Sequence, residues 1–217
     1  MKKVTYQGVP GAYSQSAAKK FFGDEIDTIA THSFEDALNS AEEEGISTDV
    51  NYSILPVENS IEGTVGQSVD EIVKTNLHSI GEVFLKVEHC LIGRGKLDDV
   101  TKVYSHPQAL GQCSHFIENH DFKTVPTYDT AGSVEIIKDL ENNCAAIASR
   151  LASNLYDVPI IKEEIANNSN NFTRFLIFSK EKTAESKNDK TSIIFSVKHE
   201  PGALYQILKE FNDNDIN

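Results

Sequence analysis

The chain has 217 residues, of which 39% are hydrophobic and 24% charged, a composition typical of a globular protein with one large or two modest cores. Its formal net charge of −13 argues against nucleic acid and anionic membranes as partners, because both demand a basic surface. No apolar run reaches the ~18 residues of a membrane span, and no long apolar segment follows the N-terminal lysines, so no secretory signal is indicated. The three cysteines, Cys90, Cys113 and Cys144, are widely spaced, which favours a reducing cytoplasm and indicates neither a zinc site nor a redox motif.

The first part of the chain alternates strands and helices. "KKVTYQ" predicts a strand, and the Gly/Pro turn after it leads into a helix that begins near Tyr13 or Ser14. After the short strand "DTIAT", "HSFEDALNSAEEEG" predicts a helix with Ser33 as N-cap and Gly45 at its C-terminal cap. "NYSILPVENS" predicts a strand that runs into a polar loop, "VGQSVDEIVKT" has helical spacing, and "SIGEVFLKVEHCLIG" is a long β-rich segment.

The same alternation continues in the second part. Strands are predicted in "TKVYS", "KTVPTY", "CAAIAS" and "VPIIKEE". Between them, one helix is predicted from Pro107 through "HFIENH", a second is capped by Asp129 or Thr130, and a third lies in "SRLASNLY". Strands that alternate with short helices predict an α/β fold with largely parallel sheets, in which ligands bind at the carboxyl ends of the strands.

The C-terminal part has a different composition. Residues 180–190 are polar and lysine-rich, which predicts a linker. Residues 191–217 predict one alternating strand, a Pro-Gly turn and one amphipathic helix. One strand and one helix bury little apolar surface, so this segment is expected to be part of a small domain or to need partners.

Hydroxyl and amide side chains are concentrated in five loops beside predicted strands: "GVPGAYS", "PVENSIEGTV", "SHPQAL", "DTAGS" and "NSNNFTR". Where such a loop precedes a helix, free backbone N–H groups point outward. If the loops converge, they form a pocket suited to a small, oxygen-rich anion, whose binding must be local because the chain as a whole is acidic. The first loop lacks the spacing of a nucleotide-binding motif. Plainer interpretations stay open: helix caps for Ser14, Ser60, Thr130 and Ser133, a turn for Asn59, a solvated carboxylate for Glu58 and a structural ring for His106.

The segments "GVPGAYSQSAA", "PVENSIEGTV", "VYSHPQALGQC", "DTAGS", "AAIAS" and "NNFTRFLIF", in this order, closely resemble the signature segments of prephenate dehydratase. This family turns prephenate into phenylpyruvate in phenylalanine biosynthesis, and the resemblance runs from about Val4 to Phe178. After the linker, "SVKHEPGAL" resembles the start of the ACT regulatory domain, where the family binds phenylalanine as feedback inhibitor. This second resemblance implies a phenylalanine site at Gly202, Ala203 and Leu204. The later "ESRP"-type segment of such domains is absent from these residues.

The resemblance also implies an architecture and an assembly. The catalytic domain, 1–179, would have two α/β lobes similar to type II periplasmic binding proteins. One lobe would hold about 1–77 and 160–179, and the other about 78–159. The linker 180–190 and a partial, ferredoxin-like α+β ACT domain at 191–217 would follow. The family implies a homodimer or homotetramer in the cytoplasm, and neither a cofactor nor a metal.

The reaction sets tasks for the site residues that the resemblance supplies. Thr173 of "NFTRF" is implied to help the ring hydroxyl leave, although an alcohol is a weak acid, so Glu58 is the alternative proton donor and His106 a weaker one. Arg174 suits the pyruvyl carboxylate, or else it faces away and pairs with an acidic residue, because adjacent strand residues face opposite sides. The remaining expected substrate contacts are Ser14, Asn59, Ser60, Thr64, Ser105, Gln108, Thr130, Ser133 and Asn171.

Two other functions remain open. A non-catalytic two-lobed protein that binds small anions or amino acids needs the same converging loops but no proton donor. A regulatory amino-acid sensor would work through the C-terminal segment.

Overall fold

The structure is a computed structural model that describes residues 1–42, 50–186 and 189–216. The chain forms two compact units, Met1–Thr183 and Ala184–Asn217. The C-terminal cap that we predicted at Gly45 lies outside the described residues, whereas the N-cap of the same helix is confirmed, because the Asp36 amide donates to Ser33 Oγ at 3.0 Å.

The first unit contains two sheets, and the first of them has six strands in the order β2-β1-β3-β11-β5, with β4 beside β3. These strands are β1 (Lys2–Gln7), β2 (Ile26–Thr31), β3 (Tyr52–Asn59), β4 (Gly63–Thr64), β5 (His78–Lys86) and β11 (Phe172–Ser179). The strand β11 lies between β3 and β5 and is therefore hydrogen-bonded on both sides.

The second sheet has five strands in the order β10-β6-β9-β7-β8. They are β6 (Cys90–Gly93), β7 (Lys102–Ser105), β8 (Lys123–Pro126), β9 (Cys144–Ala148) and β10 (Ile160–Lys162). Every residue of β9 is buried, as expected for a central strand that is covered on both faces.

The sheets are mixed rather than largely parallel, which corrects the sequence-based prediction. In the first sheet β1 pairs parallel with β2 and β3, whereas β11 runs antiparallel to β3 and β5. In the second sheet β7 pairs parallel with β8 and β9, whereas β6 runs antiparallel to β9 and β10. Apart from the short β4, which is antiparallel to β3, the strands that run against the others are β6 and β11, with which the chain enters each sheet after a crossing.

The first unit has seven helices among its described residues: α1 (Tyr13–Phe22), α2 (Phe34–Glu42), α3 (Gly66–Ile72), α4 (Pro107–Gln112), α5 (Ser114–Asn119), α6 (Gly132–Ile137) and α7 (Arg150–Tyr156). The single helix predicted from Pro107 is two helices that are interrupted at Cys113. Four apolar clusters fill the interior, two around each sheet. Each lobe is thus a three-layer α/β unit, which confirms the two-lobed α/β architecture.

The chain crosses between the lobes at residues 87–89 and again at 163–171. The two crossings touch, since the Val87 amide donates to the Asn171 carbonyl at 2.8 Å. The sheets put β5 in the first lobe and β10 in the second, so sheet membership differs from the expected lobe limits at 77/78 and 159/160. Strand pairing explains the difference, because β5 is hydrogen-bonded to β11 and β10 is hydrogen-bonded to β6.

The described residues of the second unit, Ala184–Asn217, form one helix, α8 (Ala203–Asp213), after a Pro-Gly turn in which Gly202 has a φ of +83°. The turn and the helix agree with the sequence-based prediction, but the strand predicted at 191–198 is absent from the described residues. A strand needs a hydrogen-bonded neighbour, and the described part of this unit supplies none. In the described residues of the whole chain, no helix is long and apolar enough to cross a membrane.

Candidate functional site

A cleft of about 360 Å³ lies between the two lobes of the first unit. It forms where β1, β3 and β7 end, so the polar loops that follow these strands do converge. Its lining residues come from both lobes: Gln7, Ala12, Tyr13, Ser14, Phe34, Pro56, Asn59, Val65, Val87, His89, His106, Gln108, Ala109, Gln112, Tyr128, Asp129, Thr130, Thr173 and Phe175. Among the described residues that line it, none is Lys or Arg.

Thr173 faces this cleft from the central part of the first sheet. Its hydroxyl oxygen accepts a hydrogen bond from Asn59 Nδ2 at 2.9 Å. The orientation of that amide is fixed, because Asn59 Oδ1 accepts the backbone N–H groups of Ile61 and Glu62, each at 3.0 Å. No described residue accepts the proton of the Thr173 hydroxyl. The hydroxyl is therefore held as a donor at the cleft wall.

A chain of amide side chains continues from Asn59 into the second lobe. Asn59 Nδ2 also donates to Asn171 Oδ1 at 2.7 Å, and Asn171 Nδ2 donates to Gln112 Oε1 at 3.0 Å. Gln112, at the end of α4, donates in turn to Glu62 Oε1 at 3.2 Å. Each amide is oriented by its neighbours, so the position of Thr173 is tied to both lobes.

His89 lies at the first crossing between the lobes and extends this row of hydrogen-bonded side chains. Its Nε2 is 2.8 Å from Gln112 Oε1, and its Nδ1 is 2.9 Å from the Tyr13 hydroxyl. Because Gln112 Oε1 is an acceptor here, Nε2 carries the proton. The Tyr13 hydroxyl also donates to the Glu88 carbonyl at 2.9 Å, so it lies between this carbonyl and His89 Nδ1. Burial lowers the pKa of the His89 imidazole, although the hydrogen bond to Gln112 opposes this shift. Burial also raises the pKa of the Tyr13 phenol well above its ordinary value. Both rings are thus neutral near pH 7.

His89, Gln112 and Tyr13 were missed by the sequence analysis. Each stands in an unremarkable setting: a histidine in a β-rich segment, a glutamine at a helix end and a tyrosine at a helix start. The partners of Gln112 are distant in sequence, and no local pattern marks them. The amide of Gln112 lies in the quoted segment "VYSHPQALGQC", which was the one signal that could have drawn attention to it.

Five of the predicted site residues line the cleft: Ser14, Asn59, Gln108, Thr130 and Thr173. His106, the weaker candidate for a proton donor, lines it too, and its Nδ1 accepts the Gln108 amide at 3.3 Å. Asn171 is fully buried and lines an adjoining cavity of about 550 Å³ instead.

Four predicted contacts are not in the cleft, because their hydroxyls serve the fold or face solvent. Ser105 Oγ donates to the Ile147 carbonyl at 2.7 Å inside the second sheet, and Ser133 Oγ donates to the Asp129 carbonyl at 2.8 Å. Ser60 Oγ donates to the Asn170 carbonyl at 3.0 Å and holds the second crossing in place. Thr64 is exposed on the short strand β4.

Glu58 and Arg174 also stay outside the cleft, for one shared reason. They are opposite each other in the β3–β11 pair, one position away from Asn59 and Thr173, which face the cleft. Successive strand residues face opposite sides, so this pair is directed away. Arg174 Nε bonds Glu82 Oε2 at 2.7 Å, and Glu58 is exposed. Of the alternatives for Arg174, the geometry supports the acidic partner.

The three residues expected at a phenylalanine site lie at the start of α8 in the second unit. Gly202 is its N-cap, Ala203 is buried and Leu204 is exposed. Within the described residues of the chain, no group of three or more His, Cys, Asp or Glu side chains is arranged to hold a metal.

Comparison with known proteins gives consistent matches over this part of the chain. The family model described as prephenate dehydratase matches residues 4–183. The chain is 36% identical over 219 residues to the bifunctional chorismate mutase/prephenate dehydratase of Pseudomonas aeruginosa, covering 99% of this chain and 59% of that protein. It is also 36% identical over 226 residues to the prephenate dehydratase of Methanocaldococcus jannaschii, covering 100% of this chain and 80% of that protein.

Among solved structures, the prephenate dehydratase of Arthrobacter aurescens in complex with L-Phe matches with a TM-score of 0.81. The identity is 24%, and the match covers 97% of this chain and 72% of that chain, so this likeness concerns the fold. The chain spans about three fifths of the length of the Pseudomonas relative, 59%.

Proposed function

The chain belongs to the prephenate dehydratase family, and from this premise we propose that it converts prephenate into phenylpyruvate, water and carbon dioxide. The observation that carries the proposal is the Thr173 hydroxyl, which accepts from Asn59 at 2.9 Å and whose own proton has no acceptor among the described residues. A hydroxyl held in this way is suited to donate a hydrogen bond to a ligand in the cleft.

The proposed reaction is a single elimination across the cyclohexadiene ring. The bond between the ring and its carboxylate breaks, carbon dioxide leaves, and the freed electron pair enters the ring and expels the hydroxyl group on the opposite carbon. That oxygen develops negative charge and takes up a proton as it becomes water. Aromatisation provides the driving force, so the protein mainly has to orient the substrate and stabilise the departing oxygen.

Thr173 is proposed to bind that departing oxygen. An alcohol is a weak acid, so its role is a hydrogen bond that strengthens as the charge grows, or the relay of a proton from water. The donation from Asn59 into Thr173 Oγ1 polarises the hydroxyl and makes it a better donor. Gln108, Thr130 and Ser14 are proposed as further substrate contacts because they line the same cleft.

The apolar part of the cleft is proposed to receive the ring. Pro56, Val65, Phe34 and Phe175 contribute to its lining. An apolar surface around the ring excludes water and disfavours the charged ring carboxylate relative to the neutral carbon dioxide that it becomes. The lack of Lys and Arg among the described lining residues also supports the proposal, because a cation on the departing carboxylate would stabilise the ground state and slow its loss.

Phenylpyruvate formation from prephenate by the purified chain tests this proposal, with Thr173→Ala as the matched variant. We expect turnover well above the acid-catalysed background for the wild type and near background for the variant, with unchanged circular dichroism. Binding of prephenate without turnover would favour the alternative, a non-catalytic two-lobed binding protein.

Regulation is a second part of the proposal. We propose that residues 191–216 belong to an ACT-type regulatory domain and that phenylalanine is its effector, bound near Gly202, Ala203 and Leu204. The Pro-Gly turn with its positive φ at Gly202 and the helix after it support this, as does the L-Phe in the Arthrobacter structure. The family resemblance also favours a homodimer or homotetramer. The three buried free cysteines suit the cytoplasm. Prephenate turnover measured with and without phenylalanine tests the effector.

A further inference from the structure

The cleft poses an electrostatic problem for the proposed substrate. Prephenate carries two carboxylates, and the chain has a formal net charge of −13. No lining residue among the described ones is Lys or Arg, and Arg174 is engaged by Glu82 outside the cleft. An anion in this cleft therefore needs binding groups other than cationic side chains.

Both histidines of the cleft are engaged by neighbouring groups. His106 Nδ1 accepts the Gln108 N–H at 3.3 Å and so caps the start of α4. His89 is buried and its pKa is lowered, and both of its nitrogens are occupied by Gln112 and Tyr13. The groups of the cleft that remain to bind an anion are uncharged hydrogen-bond donors.

The start of α1 provides such donors. Ala12 is the N-cap and has no side chain that could cap the helix, although Ser, Thr, Asp and Asn are favoured there. The first helical hydrogen bond is donated by Ser16 to the Ala12 carbonyl, at 3.2 Å. The N–H groups of the three preceding residues, 13–15, have no acceptor among the described residues. Ala12, Tyr13 and Ser14 line the cleft, so this uncapped helix end faces the ligand space.

The side chain of Ser14 is an independent observation at the same place. Ser14 is only 8% exposed and lines the cleft, yet its hydroxyl has no hydrogen-bond partner among the described residues. The oxygen itself is not among the buried unpaired atoms, so the small exposure that Ser14 keeps includes its hydroxyl, and this hydroxyl is free to donate to a ligand in the cleft. One ligand carboxylate can accept from this hydroxyl and from the free N–H groups of the helix start together.

The loop before α1 is held so that these donors keep their direction. Gln15 Oε1 accepts the Gly11 N–H at 2.7 Å, and Gln15 Nε2 donates to Thr28 Oγ1 at 2.9 Å. Gly11 has a φ of +92°, and a Cβ there would lie 2.9 Å from Ala152. The Gly11 carbonyl accepts from Ser149 Oγ of the second lobe at 2.7 Å. The turn is thus fixed from both lobes before any ligand binds.

We infer that the N-terminus of α1, with its free N–H groups and the Ser14 hydroxyl, is the carboxylate subsite of the cleft. It binds the pyruvyl carboxylate, which survives the reaction, and leaves the ring carboxylate free to depart as carbon dioxide. The helix dipole and charge-assisted hydrogen bonds replace the cation that the cleft lacks. The assignment to the pyruvyl group rests on the proposed function, whereas the preference for a carboxylate at this place does not.

Calorimetric titration with a matched pair of ligands tests the subsite without turnover. The probes are 3-phenylpropanoate and 3-phenylpropanamide, which differ in the carboxylate alone. We expect the wild-type chain to bind the acid at least about tenfold more tightly than the amide, because hydrogen bonds to charged groups are the stronger ones. Equal affinity for the two probes, or no measurable binding of the acid, would overturn the inference.

Three variants locate the preference on α1. In Ser14→Ala, the affinity for the acid falls about tenfold and that for the amide changes little. In Ser14→Asp, a carboxylate occupies the subsite, so binding of the acid is lost. The fold is kept, because Asp is favoured in the first turn of a helix. Ser16→Ala is the control, since Ser16 is two residues further along the same helix and lies outside the cleft lining. An acid affinity that Ser14→Asp leaves intact would contradict the subsite.

The prephenate assay separates this inference from the proposed function. A wild-type chain that binds the acid through Ser14 but forms no phenylpyruvate overturns the dehydratase proposal and keeps the carboxylate subsite. A chain that turns over prephenate while Ser14→Asp has an unchanged KM keeps the dehydratase proposal and overturns the subsite.

Discussion

Two segments of this chain carry nearly the same apolar pattern, and they end in different structures. β11 has the sequence "FTRFLIFS", lies between two partner strands, and is buried from Phe175 to its end. Residues 191–197, "TSIIFSV", form no strand among the described residues, and their large side chains are exposed. Phe175 is 2% exposed, whereas Phe195 is 47% exposed.

The difference shows what an apolar pattern specifies and what it leaves open. β11 becomes a strand because β3 and β5 offer backbone partners on both sides and because helices cover the sheet. The later segment has the same propensity but no described partner strand in its unit. Strand propensity is therefore a statement about fit to a sheet, and it has no effect without one. The first segment therefore positions Thr173 at the cleft, whereas the described residues of the second form no strand.

The largest expected effect is on stability, and it is measured by comparing Phe175→Ala with Phe195→Ala. Phe175→Ala removes a ring from the core of the first lobe, so we expect it to lower the free energy of unfolding by about 3–5 kcal/mol. Phe195→Ala changes an exposed side chain, and we expect a change within about 0.5 kcal/mol. Urea denaturation followed by circular dichroism measures both. Equal losses in the two variants would mean that residues 191–197 are buried in solution, and the comparison would then fail.

The next effect is on turnover, and it compares two threonines. Thr173→Ala removes the hydroxyl from the cleft, and we expect kcat to fall about 10²- to 10³-fold, as for the loss of one donor to a developing oxyanion. The loss of its hydrogen bond with Asn59 should cost only about 1 kcal/mol of stability. Phenylpyruvate formation measures the first quantity and urea denaturation the second.

Thr191→Ala is the matched control for this experiment, since Thr191 is an exposed threonine at the start of the later segment. It should leave kcat unchanged. Thr173→Ser keeps a hydroxyl and should recover a large part of the activity. A Thr173→Ala variant with near-normal kcat would remove Thr173 from the chemistry.

A smaller effect is expected in the pH dependence of stability, and it comes from His89. Burial lowers its pKa in the folded state, so below the ordinary pKa of about 6.5 the unfolded chain binds a proton that the folded chain does not. The contribution of His89 to stability is therefore complete above that pH and is lost as the pH falls below it, by up to about 1.4 kcal/mol per pH unit.

His89→Asn should flatten this slope between the lowered pKa and about 6.5, apart from a constant loss of stability at every pH. Urea denaturation of wild type and variant at a series of pH values measures the two slopes, and Ser16→Ala serves as the control. Parallel slopes for wild type and His89→Asn would show that His89 is not held neutral in the fold.

The sequence was sufficient for most elements of the first unit and for part of the site. Alternation and capping residues located the strands of both lobes, and the polar loops after β1, β3 and β7 do meet in the cleft. The family resemblance pointed to Thr173, Asn59 and Gln108. The strands and the loop positions are local features, because they depend on propensity, on turn residues and on the position of a loop at a strand end.

What could not be predicted depends on contacts between distant residues. The direction of Arg174 and Glu58 is set by the register of β11 with β3, which has a bulge between Arg174 and Phe175. The hydrogen bonds from Asn59 through Asn171 to Gln112 join the two lobes by way of the second crossing. Ser105 and Ser133 stand in suitable loops, but their hydroxyls are taken by neighbouring carbonyls. No local pattern contains this information.

The smallest expected effect is on Arg174, and it sharpens the contrast between the two faces of β11. Its ion pair with Glu82 is partly exposed, with side-chain exposures of 26% and 22%, so solvent screens it. We expect Arg174→Met to cost at most about 1 kcal/mol of stability, because the Met side chain keeps the packing of the aliphatic stem. KM for prephenate should stay unchanged, because Arg174 does not line the cleft. Steady-state kinetics decides between the two interpretations of this residue: a guanidinium that held the substrate carboxylate would raise KM by about tenfold or more when removed, and a strand-to-strand ion pair would not.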